Sequence, residues 1–229
     1  MPSTDKPLIE LKNKEPFSSG GNRLCFRHPD DRARCLKVIR PDRTPDIRRA
    51  EKGFPANLRP LKAFDENLVE ESVLRGLLHR FPSEIRRHLP QSYGMIDTDL
   101  GPAHETDLIC DADGLISQTL EQYIWKYGID TTVQTAISEF KQDWSTRPPN
   151  TRDLIPHNFV IHINESKGHL YLIDGYGRQP RIKWLQKDTM PASRLRRRFE
   201  NFDHRIALIL ERKANNNGPK HRINNLKRT

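Results

Sequence analysis

Apolar side chains along this chain recur with two periods, and the switch between them divides it into strands and helices. Leu24 to Arg27 and Cys35 to Ile39 are short β-prone runs joined by the turn-rich "HPDD", which predicts an antiparallel hairpin. A flexible entry, "PFSSGG", precedes them, and the Pro-punctuated connector "RPDRTPDIRRAEKGFPANLRP" follows. In "DENLVEESVLRGLLHRF" the period changes to that of a helix, with Val69, Val73, Leu74, Leu77 and Leu78 on one stripe and Glu70 near its centre. "QSYGMIDTDLGPAHETDLICD" predicts a second hairpin turned at "DLGP" and ends in the polar crossing "DADGL".

Helical spacing then dominates. "SQTLEQYIWKYG" predicts a short helix, and "DTTVQTAISEFKQDW" a longer one, with Thr131 and Gln134 at capping-box spacing and Val133, Ile137, Phe140 and Trp144 at helical intervals. "RPP" stops it. "FVIHINESKGHLYLID" predicts a small hairpin turned at "ESKG". A last helix, "ASRLRRRFENFDHRIALILER", aligns Leu195, Phe199, Phe202, Ile206 and Leu210, with Arg194, Arg197, Arg198 and Arg205 mostly off that face. Hairpin, helix, hairpin, then helices with a small inserted hairpin is an α+β order in two lobes.

Composition changes this picture in two places. The 229 residues carry a net charge of +9, but residues 178–229 hold 15 Lys or Arg against 4 Asp or Glu, while the remainder is close to neutral. Such a basic end attracts anionic partners through a salt-sensitive, unselective field; without a recognition helix or an aromatic platform, specific nucleic-acid binding is not expected. No signal-peptide core or bilayer-length apolar run is present, and Cys25, Cys35 and Cys110 form no metal-type cluster and leave one thiol over from any disulfide pairing. The expectation is a cytoplasmic protein, or one peripheral to the inner face of the membrane. His157, His162 and His169 lack zinc spacing, and Trp125, Trp144 and Trp184 are expected to be packing residues.

The chemistry concentrates in a few charged residues. In "TRDLIPHNFVIHI" Asp153 and Asn158 stand five apart in an otherwise apolar segment, and Asp174 opens "DGYG" at the end of the next predicted strand. Mg²⁺ prefers such hard oxygen ligands, and phosphoryl transfer needs the ion alongside a carboxylate that orients the attacking hydroxyl. Lys37 in "CLKVI" is a lysine inside a strand and Glu70 a carboxylate on an apolar helical stripe. Each is costly alone, and the two solve each other's problem if the helix packs on the sheet.

Gly-rich turn, strand Lys, helix Glu, Asp-x-x-x-x-Asn and Asp-Gly, in that order, resemble the protein-kinase-like superfamily. "SSGGNRLCFRHPDDRARCLKVI", "SYGMIDTDLGPAHETDLICDADGLISQTLEQYI" and "PHNFVIHI" are similar to the YrbL family, named for the PhoP regulatory network, across most of residues 17–175. The resemblance implies a protein-kinase-like two-lobed fold: an antiparallel-sheet N-lobe over residues 1–112, a shortened helical C-lobe over 113–213 and a basic flexible tail over 214–229, with MgATP between the lobes. It implies that Lys37 holds the α- and β-phosphates, that Glu70 fixes Lys37, with Glu71 as the alternative, and that Ser18, Ser19, Gly20 and Gly21 form the loop over the phosphates. Asp153 is then the catalytic carboxylate, and Asn158 and Asp174 the metal ligands.

The sequence departs from the kinase pattern in its two adjacent glycines, in Thr151 where a His is usual, in Gly175 directly after Asp174, and in the absence of an Ala-Pro-Glu element. The expected activity is therefore ATP-dependent phosphotransfer to a hydroxyl on a small molecule, sugar or lipid-linked glycan rather than on a protein. The alternative is a nucleotide-binding regulatory pseudokinase. The basic C-terminal helix is expected to contact an anionic lipid or glycan.

Overall fold

The computed structural model describes residues 8–152, 154–165, 167–177 and 188–215, so Asp153, Trp184 and most of the basic tail lie outside the described residues. The chain is α+β and forms two compact units, Met1–Glu71 with Ser92–Leu108, and Ser72–Gln91 with Ile109–Thr229. The two units are interleaved in sequence, because the second takes in Ser72–Gln91.

The first unit is built on a five-stranded antiparallel sheet of β1 (Ser18–Ser19), β2 (Arg23–Arg27), β3 (Arg34–Ile39), β4 (Ser92–Ile96) and β5 (Ala103–Asp107), ordered β1-β2-β3-β5-β4. Two-residue alternation sends Phe26, Leu36, Val38 and Ala103 to one face, where they bury a small core with Leu11. Cys25, Lys37 and His104 stand in register across β2, β3 and β5, which places them together on the opposite face.

The predicted connector is more ordered than its prolines suggest. It folds into α1 (Pro45–Ala50) and three one-turn 3₁₀ helices, Pro41–Arg43, Ala56–Leu58 and Leu61–Ala63. Pro41 and Pro45 each begin a helix, where a preset φ helps and a missing N–H costs nothing. Next comes α2 (Glu66–Arg80), whose first turn is capped by Asp65, its Oδ1 accepting from the amides of Asn67 and Leu68.

The second unit holds α3 (Ser83–Arg86), α4 (Leu120–Tyr127), α5 (Thr131–Thr146), α6 (Ala192–Ala214) and a three-stranded sheet, β6 (Gln118–Thr119), β7 (Phe159–Asn164) and β8 (Lys167–Leu172). α5 packs on β8 and α4 on α6. Between them lies the larger core, in which Leu74, Phe140, Trp144, Phe159, Leu170 and Phe202 are fully or almost fully buried.

Two local expectations are corrected. The cap of α5 is Asp130, whose carboxylate accepts from the Val133 amide at 2.8 Å, and the capping box belongs instead to α4, between Thr119 and Gln122. A carboxylate at the N-cap outcompetes the Thr-x-x-Gln pattern one residue later, because it also answers the positive end of the helix dipole. On α6 Ile209 is buried, while Leu210 is only partly so. Among the described residues no helix is long and apolar enough to cross a membrane.

Candidate functional site

The polar face of the first sheet carries a buried charge cluster. Lys37, midway along β3, and Glu70, on the second turn of α2, are each 7% exposed, and Lys37 Nζ lies 2.6 Å from Glu70 Oε1. A second cation completes the carboxylate, since Arg23 donates to Glu70 Oε2 at 2.6 Å. His104 approaches Oε1 at 3.3 Å, and its other ring nitrogen meets Ser92 Oγ at 2.9 Å. Burial alone would push the Glu70 carboxyl up, but Arg23 and Lys37, with the His104 contact, outweigh it and hold the group well below the usual carboxylate range.

The helix register follows from one more contact. Asn67, fully buried and three residues before Glu70, donates to the Lys37 carbonyl at 2.7 Å and so ties α2 to the backbone of the strand that carries the lysine. Asn22 and Arg48 reach Glu66 on the same stretch. The start of α2 therefore meets its surroundings through polar side chains, and its apolar residues Leu74 and Leu77 serve the core of the second unit. Sequence reasoning centred Glu70 on an apolar stripe and missed Arg23 and Asn67; the signal was the i, i+3 pair Asn67 and Glu70.

Ser18 and Ser19 form β1 and pair with Cys25 and Leu24, so Gly20 and Gly21 lie in the tight turn into β2, where the Gly20 amide donates to the Arg23 carbonyl at 2.8 Å. A Cβ on Gly21 would meet nothing within 4 Å, and one on Gly20 only ordinary contact with Arg23 O at 3.7 Å. Protein packing therefore does not demand glycine at either place. The open space beside these glycines suits a ligand that approaches the turn closely.

Cys25 stands opposite Lys37, and the neighbouring Cys35 thiol outweighs burial and, with Lys37 and Arg23 nearby, lowers Cys25 to about 7. The Cys25 thiol, reinforced by burial, raises Cys35 well above the usual thiol range. Iodoacetamide should accordingly label Cys25 before Cys35, with a rate that rises around pH 7. A rise only near the ordinary thiol value of about 8.5 would contradict this electrostatic picture.

In the second unit the hairpin β7–β8 gathers the remaining described residues. Asn158, 8% exposed, ends the one-turn helix Pro156–Asn158 immediately before β7. Its carbonyl accepts from the Ile173 amide at 2.8 Å, and Phe159 pairs with Leu172, so Asn158 and Asp174 come to one end of the hairpin. The Gly175 amide donates to Asp174 Oδ1 at 2.6 Å, and Gly175 adopts φ +79°, a left-handed conformation that favours glycine and turns the chain away from the carboxylate. The Arg152 amide donates to the Gly175 carbonyl at 3.1 Å, which brings the residue before Asp153 beside the Asp-Gly turn. Asp153 itself lies outside the described residues.

The residues that tempted other assignments have structural partners. His162 bonds the Cys110 carbonyl, and His169 bonds the Arg87 carbonyl and stacks on His88. His157 stands 3.6 Å from Glu121. Among the described residues no group of three or more His, Cys, Asp or Glu is arranged to hold a metal. His88, fully buried, meets Asp143 at 2.9 Å and the Leu170 carbonyl at 2.7 Å, while Arg87 also pairs with Asp143. These contacts fasten the segment after α3 to α5 and β8. Trp144 is a core residue and Trp125 packs against that core.

The sequence profile described as "PhoP regulatory network protein YrbL" matches residues 9–207, a span that includes Lys37, Glu70, Asn158 and Asp174. A protein of Escherichia coli (strain K12), "Uncharacterized protein YrbL", is 26% identical over 174 residues, which cover 74% of this chain and 74% of that relative. A protein of Shigella flexneri with the same name matches to the same extent. The chain belongs to the PhoP regulatory network protein YrbL family.

Proposed function

We propose that this protein is an ATP-dependent phosphotransferase of protein-kinase-like two-lobed fold, acting on a hydroxyl acceptor. The observation that carries this reading is the buried pair of Lys37 and Glu70 on the polar sheet face. A lysine fixed by a carboxylate, in a sheet whose first turn exposes two unhindered glycines, fits the recognition of nucleotide phosphates. Two hard oxygen donors at one hairpin end, Asn158 and Asp174, fit Mg²⁺.

When bound, MgATP supplies the phosphoryl group and the ion that neutralises its charge. Lys37 would hold the α- and β-phosphates, and Glu70, itself steadied by Arg23, would keep the ammonium oriented. Ser18, Ser19, Gly20 and Gly21 would offer hydroxyls and backbone amides to the phosphates. Asn158 and Asp174 would ligate the metal, and Asp153 would orient the acceptor hydroxyl and receive its proton. No Ala-Pro-Glu element follows Asp174 in the sequence, which favours a small molecule, sugar or lipid-linked glycan over a protein as acceptor.

The test is thermal unfolding with ATP, in the presence and absence of Mg²⁺. At a hundredfold excess of MgATP over its dissociation constant the protein should gain about 2.7 kcal/mol of apparent stability, and Asp174→Asn should lose most of that gain. Equal stabilisation by ATP with and without Mg²⁺ would reject the metal assignment. A second reading, a nucleotide-binding regulatory module without transfer, is favoured by the family's own description as part of a regulatory network. It predicts the same binding with no turnover.

A further inference from the structure

We infer that the segment between β3 and α2 is a docking surface for an anionic lipid bilayer, with Phe54 and Leu58 as its inserting side chains. Phe54 is 81% exposed and Leu58 72%, and Ile47, Leu61 and Leu68 nearby are also exposed. The described chain shows no such concentration of exposed apolar bulk elsewhere. The segment is nonetheless built: α1 packs against the three one-turn helices, Arg48 donates to the Phe64 carbonyl at 3.1 Å, and the same guanidinium pairs with Glu66 at 2.8 Å. Amides of Ala56 and Asn57 donate to the Gly53 carbonyl and that of Leu58 to Pro55, so Phe54 and Leu58 are held within one compact turn.

Charge selects the occupant. Residues 52–64 contain Lys52, Arg59 and Lys62 and no acidic residue. Arg43, Arg48 and Arg49 pair with Glu51, Glu66 and Asp46, whereas Lys52, Arg59 and Lys62 have no carboxylate partner among the described residues. Apolar tips at a turn, with cations near them in sequence that lack a carboxylate partner among the described residues, match an interface in which the tips enter the acyl boundary and the cations stay among acidic headgroups. Single-stranded nucleic acid fits less well, because Phe54 is the one exposed aromatic in the segment and aliphatic side chains offer bases no stacking platform. The C-terminal helix is a poorer membrane anchor: Leu195, Phe202, Ile206 and Ile209 of α6 are spent on the core, and Leu208 is its one exposed large apolar residue, among charges of both signs. This inference stands apart from the phosphotransfer reading.

The experiment is co-sedimentation of the full chain with phosphatidylcholine vesicles, with and without phosphatidylglycerol. Binding should require phosphatidylglycerol and weaken with salt. Phe54→Ser with Leu58→Ser should reduce it about tenfold or more, with an unchanged urea midpoint, since both side chains are exposed. Replacing Lys52, Arg59 and Lys62 by Gln should flatten the salt dependence. Any of three results would overturn the inference: no binding to the anionic vesicles, binding that survives the Phe54/Leu58 change but disappears when Arg194, Arg197, Arg198 and Arg205 become Gln, or a dimer in sedimentation that the Phe54/Leu58 change dissolves.

Discussion

Glu70→Ala should destabilise the protein by about 3–5 kcal/mol, more than any other single change in the polar cluster. The carboxylate serves two cations at once, Lys37 and Arg23, each 2.6 Å away, with side chains only 8% and 11% exposed. Removing it takes from both the carboxylate that neutralises them in a site that water reaches poorly. Lys37→Met should cost less than about 3 kcal/mol, because Arg23 and His104 remain on Glu70. Replacing Arg23, Lys37 and Glu70 together by apolar residues should recover part of the Glu70→Ala loss. Urea unfolding measures all three, and a Glu70→Ala cost under about 1 kcal/mol would mean that the cluster is solvated in solution.

The same cluster gives a pH signature. The Glu70 carboxyl is depressed in the folded state, so its contribution is fully present above the unfolded value of about 4.3 and is lost as pH falls below it toward the folded value. The stability difference between wild type and Glu70→Gln should accordingly be constant near neutrality and shrink in acid. A difference that grew as pH fell would have the wrong sign for this arrangement.

Much of this was legible in the sequence because its signals were local. Strand alternation gave β2, β3 and the β7–β8 hairpin, and a lysine inside a strand pointed to a charged partner on a neighbouring helix. Arg23 escaped notice because one arginine at a strand start is indistinguishable from a solvated one; only the antiparallel register, with α2 laid across it, brings it to Glu70. The short helices between Pro41 and Ala63 were hidden because proline signals a break and a first helical position equally. On α6 a drift of one residue exchanged Leu210 for Ile209, since a period of 3.6 carries a stripe slowly around a helix of 23 residues.

The proposed phosphotransfer would rest on Asp153. A hydroxyl attacking the γ-phosphate must be aligned and its proton received, a task that nucleotide binding alone does not impose, whereas Asn158 and Asp174 are useful to a binder and an enzyme alike. Asp153→Asn keeps the size and most of the hydrogen bonding while removing the charge, so it separates the two directly. ATP turnover, with water and with candidate sugar and lipid-linked hydroxyl acceptors, measured side by side in wild type and Asp153→Asn, should fall by roughly 10²-fold or more while ATP affinity stays within a few-fold. Turnover equal in the two proteins would contradict the assignment of Asp153 as the base and, with it, the proposed mechanism.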